Sequence, residues 1–143
     1  MRISDVLRAK GDQTVVTISP DASVRELVAV LAEYNIGAVV VASDTSHVLG
    51  IVSERDIVRR LAAGPEVLER PVESIMTSEV HSCEPHETVD SLMHLMTDQR
   101  IRHVPVMVDG QLAGIISIGD VVKSRIGELE FERDQLTSYV THQ

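Results

Sequence analysis

The 143-residue chain has a single cysteine, Cys83, no tryptophan, and only three aromatic residues, Tyr34, Phe131 and Tyr139. One cysteine excludes an internal disulfide framework and a zinc site built from cysteines alone, and it fits a reducing compartment. So few rings exclude an aromatic ligand platform, and the core has to be aliphatic. Long apolar runs are missing as well, since no stretch approaches the ~20 residues of a membrane helix. The opening MRISDVLRAKGD breaks any apolar signal segment with Arg2, Asp5, Arg8 and Lys10. A soluble chain with a cytoplasmic address is the expectation, with no membrane partner. Basic charge is in deficit, with 13 Lys and Arg against 22 Asp and Glu and a net charge of −9. That is the wrong sign for a general nucleic-acid binder, whose affinity comes from neutralising phosphates.

What is present is 43% hydrophobic residues, enough for a real core, and an internal repeat. The stretch from Val15, VVTISPDASVRELVAVLAEYNIGAVVV, realigns on VHSCEPHETVDSLMHLMTDQRIRHVPV from Val80. Pro20 falls on Pro85, Val24 on Val89, Leu27 on Leu92 and Ile36 on Ile101. Further on, Gly50-Ile51-Val52-Ser53 with Asp56 falls on Gly114-Ile115-Ile116-Ser117 with Asp120. A unit of ~60 residues is marginal alone, so two copies should bury a face against each other as one pseudo-two-fold globule.

Within each copy, period and caps define the elements. Val24, Leu27, Val28 and Leu31 keep helical spacing behind Ser23-x-x-Glu26, predicting a helix over 23–34. Apolar runs at 36–42 and 48–52 predict paired strands. In the second copy, runs at 104–108 and 112–116 flank Asp109-Gly110, the strongest short hairpin signal. Helices follow at 53–61 and 117–124. The fold class is therefore α+β (α/β-like), two tandem β-α-β-β-α repeats with pseudo-two-fold symmetry plus a C-terminal helix. The boundaries read as 1–68 for the first repeat with an N-terminal extension, 69–126 for the second, and 127–143 for an amphipathic tail. That tail, with Ile126, Leu129, Leu136 and Val140 interrupted by Arg133, either packs on its own module or makes a contact across a dimer interface.

The position of interest is the strand-to-helix junction, Ser53-x-x-Asp56 and Ser117-x-x-Asp120. On one reading each pair is a capping box, the hydroxyl taking an orphan amide and the acid reaching back. On another, amides at a helix start favour a phosphate while a fixed carboxylate accepts both hydroxyls of a ribose. Gly50 and Gly114 would let backbone approach a ligand closely. Arg55 and Arg59, with Lys123 aligned on Arg59, and Arg100, Arg102 and His103 collect basic charge at the same places. Solvated helix faces explain some of them equally well. Ile118 and Gly119 replace Glu54 and Arg55, so the two places need not be equivalent.

Taken together, Thr17-x-Ser19-Pro20, Asn35-Ile36-Gly37, Gly50-x-x-Ser53-x-x-Asp56, Arg102-His103-Val104-Pro105-Val106 and Gly114-x-x-Ser117-x-x-Asp120 resemble a CBS-domain pair, or Bateman module, of the small stand-alone bacterial type. The resemblance covers about residues 1–126. It implies a non-enzymatic regulatory, signal-transducing module that binds an adenosine-containing ligand (AMP, ADP, ATP or NAD(H)) between the repeats, without a metal. It also implies a homodimer of modules and an unidentified regulated protein acting in trans. By motif, Asp56 and Asp120 would hold ribose hydroxyls, and Ser53 and Ser117 ribose or phosphate. Backbone at Thr17, Ile18, Ser82 and Cys83, with the strands at Ala38, Val39, His103, Val104 and Pro105, would sandwich adenine. Arg55, Arg59, Arg102 and Lys123 would meet phosphates.

Other constellations are weaker. His81-x-Cys83-x-x-His86 with His94 nearby suggests a soft metal, but Cys83 aligns with Ile18 and reads as a packed small hydrophobe. Neither Ser53 nor Ser117 has a histidine at a matching place in both copies, which disfavours nucleophilic catalysis. The alternative function is a ligand-independent dimerisation or adaptor protein whose S-x-x-D pairs are caps and nothing more.

Overall fold

A computed structural model describes residues 1–11 and 15–141. The elements run α1 (Ile3–Lys10), β1 (Thr17–Ile18), α2 (Val24–Tyr34), β2 (Ala38–Asp44), β3 (His47–Ser53), α3 (Glu54–Leu61), two short 3-10 turns (Pro65–Glu69 and Val72–Ser74), α4 (Val89–Gln99), β4 (His103–Val108), β5 (Gln111–Ser117) and α5 (Ile118–Thr141). In the first unit β1 pairs parallel with β2, and β2 antiparallel with β3. In the second, β4 pairs antiparallel with β5 through a turn in which Asp109 and Gly110 take φ of +50° and +77°, the two positive values that a tight hairpin of this twist requires. The mixed helix-and-sheet fold with two repeats is the architecture expected.

The second unit lacks the opening strand that its repeat predicts. Cys83 makes one parallel bridge to Val106, its N–H donating to the Pro105 carbonyl at 3.0 Å and its carbonyl accepting from Met107 N–H at 2.8 Å. Pro105 stands where Val40 stands in the first unit and has no N–H to extend the ladder. The pattern of apolar residues repeats, but the donor does not.

Two aliphatic cores follow the repeats. Val24, Leu27 and Leu31 of α2 meet Val39, Val41 and Val52 of the sheet, and Val89, Leu92 and Met96 of α4 meet Val104, Val106 and Ile116. A third cluster, centred on Val40, Ala42 and Leu112, joins the two sheets. There the Leu112 N–H donates to the Thr45 carbonyl at 2.8 Å.

The segment before each unit completes the core of the other. Ile3 and Val6 of α1 are buried in the second core, whereas Val72 and Ile75 of the linker are buried in the first. The backbone contacts obey the same symmetry. Ile3 N–H donates to Glu87 O and Ser4 N–H to Pro85 O, as Val72 N–H does to Ala22 O and Glu73 N–H to Pro20 O. Sequence order assigns residues 1–10 to the first repeat, but their packing joins them to the second.

At the C-terminus, the helix predicted over 117–124 and the tail helix are one continuous α5 of 24 residues. Only Val121 of it is buried, so its distal half does not pack on its own module.

Candidate functional site

Both strand-to-helix junctions are built identically. Ser53 takes extended φ and ψ, and its Oγ accepts the Asp56 N–H at 3.3 Å while Asp56 Oδ2 accepts the Ser53 N–H at 2.8 Å. Ser117 Oγ accepts the Asp120 N–H at 3.1 Å, and Asp120 Oδ2 accepts the Ser117 N–H at 2.8 Å. The capping boxes are therefore real in both copies. They also hold each carboxylate in one orientation by its Oδ2. Among the described residues, Oδ1 of neither aspartate has a hydrogen-bond partner, so each presents a fixed, free acceptor.

The surroundings of the two carboxylates differ. Lys10, at the last turn of α1, donates through Nζ to Asp120 Oδ2 and to the Ile115 carbonyl, both at 2.8 Å. The pair is largely shielded, with side-chain exposures of 22% and 24%. Burial alone would raise the Asp120 pKa; the Lys10 ammonium and the Ser117 N–H outweigh it and hold the carboxyl below its ordinary value. Asp56 has no such lysine among the described residues.

A broad cleft of about 1400 Å³ opens on Asp120. Its walls combine Val15, Val16, Gly37 and Ala38 of the first unit, His103, Ser117, Asp120 and Lys123 of the second, and Lys10 of α1. Gly37 brings the units close, because a side chain there would touch Glu54 Oε1 at 3.5 Å and His103 Nε2 at 3.8 Å. Burial is the main influence on His103 and pushes its pKa down, leaving the ring neutral at pH 7. The arrangement offers a carboxylate oxygen for a hydroxyl pair, two ammonium groups, a neutral imidazole and an aliphatic wall. A sugar with an attached flat apolar base and a phosphate would find complementary groups there.

Of the residues singled out from sequence, Ala38, His103, Ser117, Asp120 and Lys123 thus share one cleft. Ser53 and Asp56 form their own junction outside its walls, with Arg55 and Arg59 exposed on α3. The side chains of Ile18, Val39, Cys83 and Val104 lie in the two cores, so only their backbone can face a ligand. Pro105 is buried, while Thr17 and Ser82 are exposed or partly so. Arg102 lines a separate shallow depression with Ile118, Gly119, Val122, Lys123 and Ile126. Arg100 is the left-handed C-cap of α4, φ +55°, matching Asn35 after α2.

One sequence reading changes, at Gly50, and another holds, at Cys83. At Gly50 the tight approach is made by protein, since a Cβ there would lie 2.6 Å from Met76 Sδ and 2.8 Å from the Thr77 carbonyl, whereas Gly114 lines the cleft and a Cβ there would meet only the end of the Leu7 side chain, at 2.8 Å. Cys83 is packed in the second core, where burial pushes its thiol up to about 12. Lys10 is the site residue that sequence reasoning missed. Its charge is visible, but nothing local connects it with a carboxylate more than a hundred positions away.

Comparison with known proteins agrees with the fold. The CBS domain family model matches residues 3–63 and again 72–127. The chain is 36% identical over 96% of its length to the mitochondrial CBS domain-containing protein CBSX3 of Arabidopsis thaliana, of which it covers 71%. It is similar to the crystal structure of the CBS-domain protein ATU1752 from Agrobacterium tumefaciens, with 48% identity, a TM-score of 0.83, and 87% and 99% of the two chains covered. The CBS domain pair of protein MJ0100, solved in complex with 5′-methylthioadenosine and S-adenosyl-L-methionine, superposes with a TM-score of 0.78 at 25% identity, over 90% and 98% of the chains. With two matches in tandem and one fold across these relatives, the chain belongs to the CBS-domain family as a CBS pair.

Proposed function

We propose that the chain is a regulatory module, not an enzyme, that binds an adenosine-containing ligand in the cleft between its repeats and passes on occupancy through the geometry of the module or of its homodimer. The observation that carries this reading is Asp120, which lines the cleft with its Oδ2 fixed by Ser117 and Lys10 and with no partner on Oδ1 among the described residues. The MJ0100 complex supports the adenosine part, because that CBS pair holds two adenosine compounds. Lys10 and Lys123 on the same cleft favour a ligand with phosphate, such as AMP, ADP, ATP or NAD(H), over a neutral thioether or a sulfonium cation. Backbone near Thr17 and Ile18, with Ala38 and His103 on the cleft wall, would take the base. Ser53, Asp56, Arg55 and Arg59, with Ser82 and Cys83 backbone, would serve the corresponding second place. A ligand shifts the pose of the units only by the difference in its affinities for the two poses. The regulated protein acts in trans.

The second reading, a ligand-independent dimerisation or adaptor protein, is favoured by one observation: both S-x-x-D pairs are complete capping boxes, which accounts for the motif by itself. Thermal unfolding separates the two. Binding to the folded state alone raises the midpoint by mass action, about 2.7 kcal/mol at a hundredfold excess over Kd. AMP, ATP, NAD⁺ or NADH is expected to raise it in a saturable way; a flat response to all four leaves the adaptor reading.

A further inference from the structure

The distal half of α5 has no buried residue, although Phe131 borders the cleft. Every residue from Leu129 to Thr141 is exposed, and Leu129, Leu136 and Val140 show 49%, 66% and 67% of their surface. A single exposed leucine is ordinary, but a row of apolar residues at regular spacing is an unpartnered face. Val122, Ile126, Leu129, Arg133, Leu136 and Val140 are separated alternately by four and three positions. This is the a/d seam of a coiled coil, with Val122, Leu129 and Leu136 at d and Ile126, Arg133 and Val140 at a.

We infer that this face pairs with the same face of a second copy, parallel and in register, as a two-stranded coiled coil leading off the module. Three features of the chain lead to that occupant. β-Branched residues at a with leucine at d are the combination that favours two parallel strands. The charges beside the seam choose the direction. In register, Arg125 at g lies opposite Glu130 at e of the second copy, twice by symmetry, with Glu132 opposite Thr137. The antiparallel alignment that uses all six seam positions sets Glu130 against Glu130 and Glu132 against Glu132, two like-charge contacts. The seam is also continuous with the body. Its first residues, Val122 and Ile126, line the apolar depression of about 620 Å³ together with Arg102, Ile118, Gly119 and Lys123. A helix pair this short is marginal alone, so it gains from starting on the module face. Arg133 is the polar a residue. It meets its own copy, specifying register at a cost in stability while its stem covers the seam.

The chain suits a thiol test, since its own Cys83 is buried and held protonated. Leu136→Cys, at d, is expected to form an intermolecular disulfide under mild oxidation at least ten times faster than Phe131→Cys on the opposite face. Arg133→Leu is expected to tighten the dimer at least tenfold in sedimentation equilibrium, and Leu129→Glu with Leu136→Glu to loosen it while circular dichroism stays native. Equal linking of the two cysteine variants, linking only in a mixture of Ile126→Cys with Leu136→Cys, a monomeric wild-type protein, or no response to Arg133→Leu would each overturn the inference. The pairing does not depend on the nucleotide reading. Titration of the same variants with AMP tests that reading separately, and cross-linking without AMP binding would leave the helix pair standing.

Discussion

Lys10 Nζ and Asp120 Oδ2 stand 2.8 Å apart, which ties the helix at the start of the chain to the cap of the helix at its end. The contact is possible because Ile3 and Val6 anchor α1 in the second core and aim its last turn at β5. It gives the Asp120 carboxylate an ammonium partner that Asp56 does not have among the described residues, so the two caps match in backbone and differ in charge.

The consequence for pH has a definite sign. Asp120 has a lower pKa folded than unfolded, so it stabilises the fold above the ordinary carboxylate range near pH 4 and loses that contribution as pH falls through its folded value. Lys10→Met is expected to cost about 1–2 kcal/mol at pH 7, with the gap to wild type narrowing as pH falls below the ordinary carboxylate value near 4. Urea unfolding at several pH values measures this. A gap that stays constant from pH 7 to well below 4 contradicts the ion-pair account and points to lost packing of the lysine stem.

The two glycines of the repeated G-x-x-S motif should respond differently to alanine. At Gly50 the new Cβ meets the Thr77 carbonyl, backbone that is itself bonded to Ile51, as well as Met76 Sδ. At Gly114 it meets only the end of the Leu7 side chain. Gly50→Ala is therefore expected to destabilise by about 2–3 kcal/mol and Gly114→Ala by about 1 kcal/mol or less. Denaturant midpoints at constant m-value report the order; a reversed order contradicts it.

Arg100 occupies a left-handed conformation that costs a side-chain-bearing residue ~1 kcal/mol. Its counterpart Asn35 tolerates the same place better. Arg100→Gly is expected to stabilise by about 0.5–1 kcal/mol in thermal unfolding, and Arg100→Val to destabilise. A loss of stability with glycine would mean that the exposed guanidinium contributes more than the strain.

Repeats, helices and the Asp109-Gly110 hairpin are legible in the sequence because each rests on local chemistry: helical spacing behind Ser23, alternation broken by a turn, a cap three residues from its acid. The crossed packing of α1 and the linker is not, because the match of Ile3 and Val6 to Val72 and Ile75 is short and lies outside the main repeat. The missing opening strand was legible in principle. Pro105 against Val40 marks the lost donor, although the apolar pattern around Cys83 hides it. At the site, the two S-x-x-D pairs, His103 and Lys123 were visible as motifs. Lys10 was not, since a contact over that separation is created only by the packing of α1. The repeated glycine spacing does not reveal that at Gly50 the close neighbours are Met76 and Thr77, while Gly114 lines the cleft.

The central claim is that a fixed carboxylate in the cleft between the repeats holds an adenosine ligand, with Asp120 and Asp56 serving different places. Isothermal titration of nucleotide-stripped protein with AMP, ATP and NADH, repeated on Asp56→Ala and Asp120→Ala, tests it most directly. Both variants should lose about 1 kcal/mol of stability from the broken caps. The account predicts saturable binding to wild type, with Asp120→Ala abolishing the stronger event and Asp56→Ala sparing it. Folded variants that bind as wild type does, or a wild type that takes up none of the three, would contradict it and leave the two aspartates as helix caps alone.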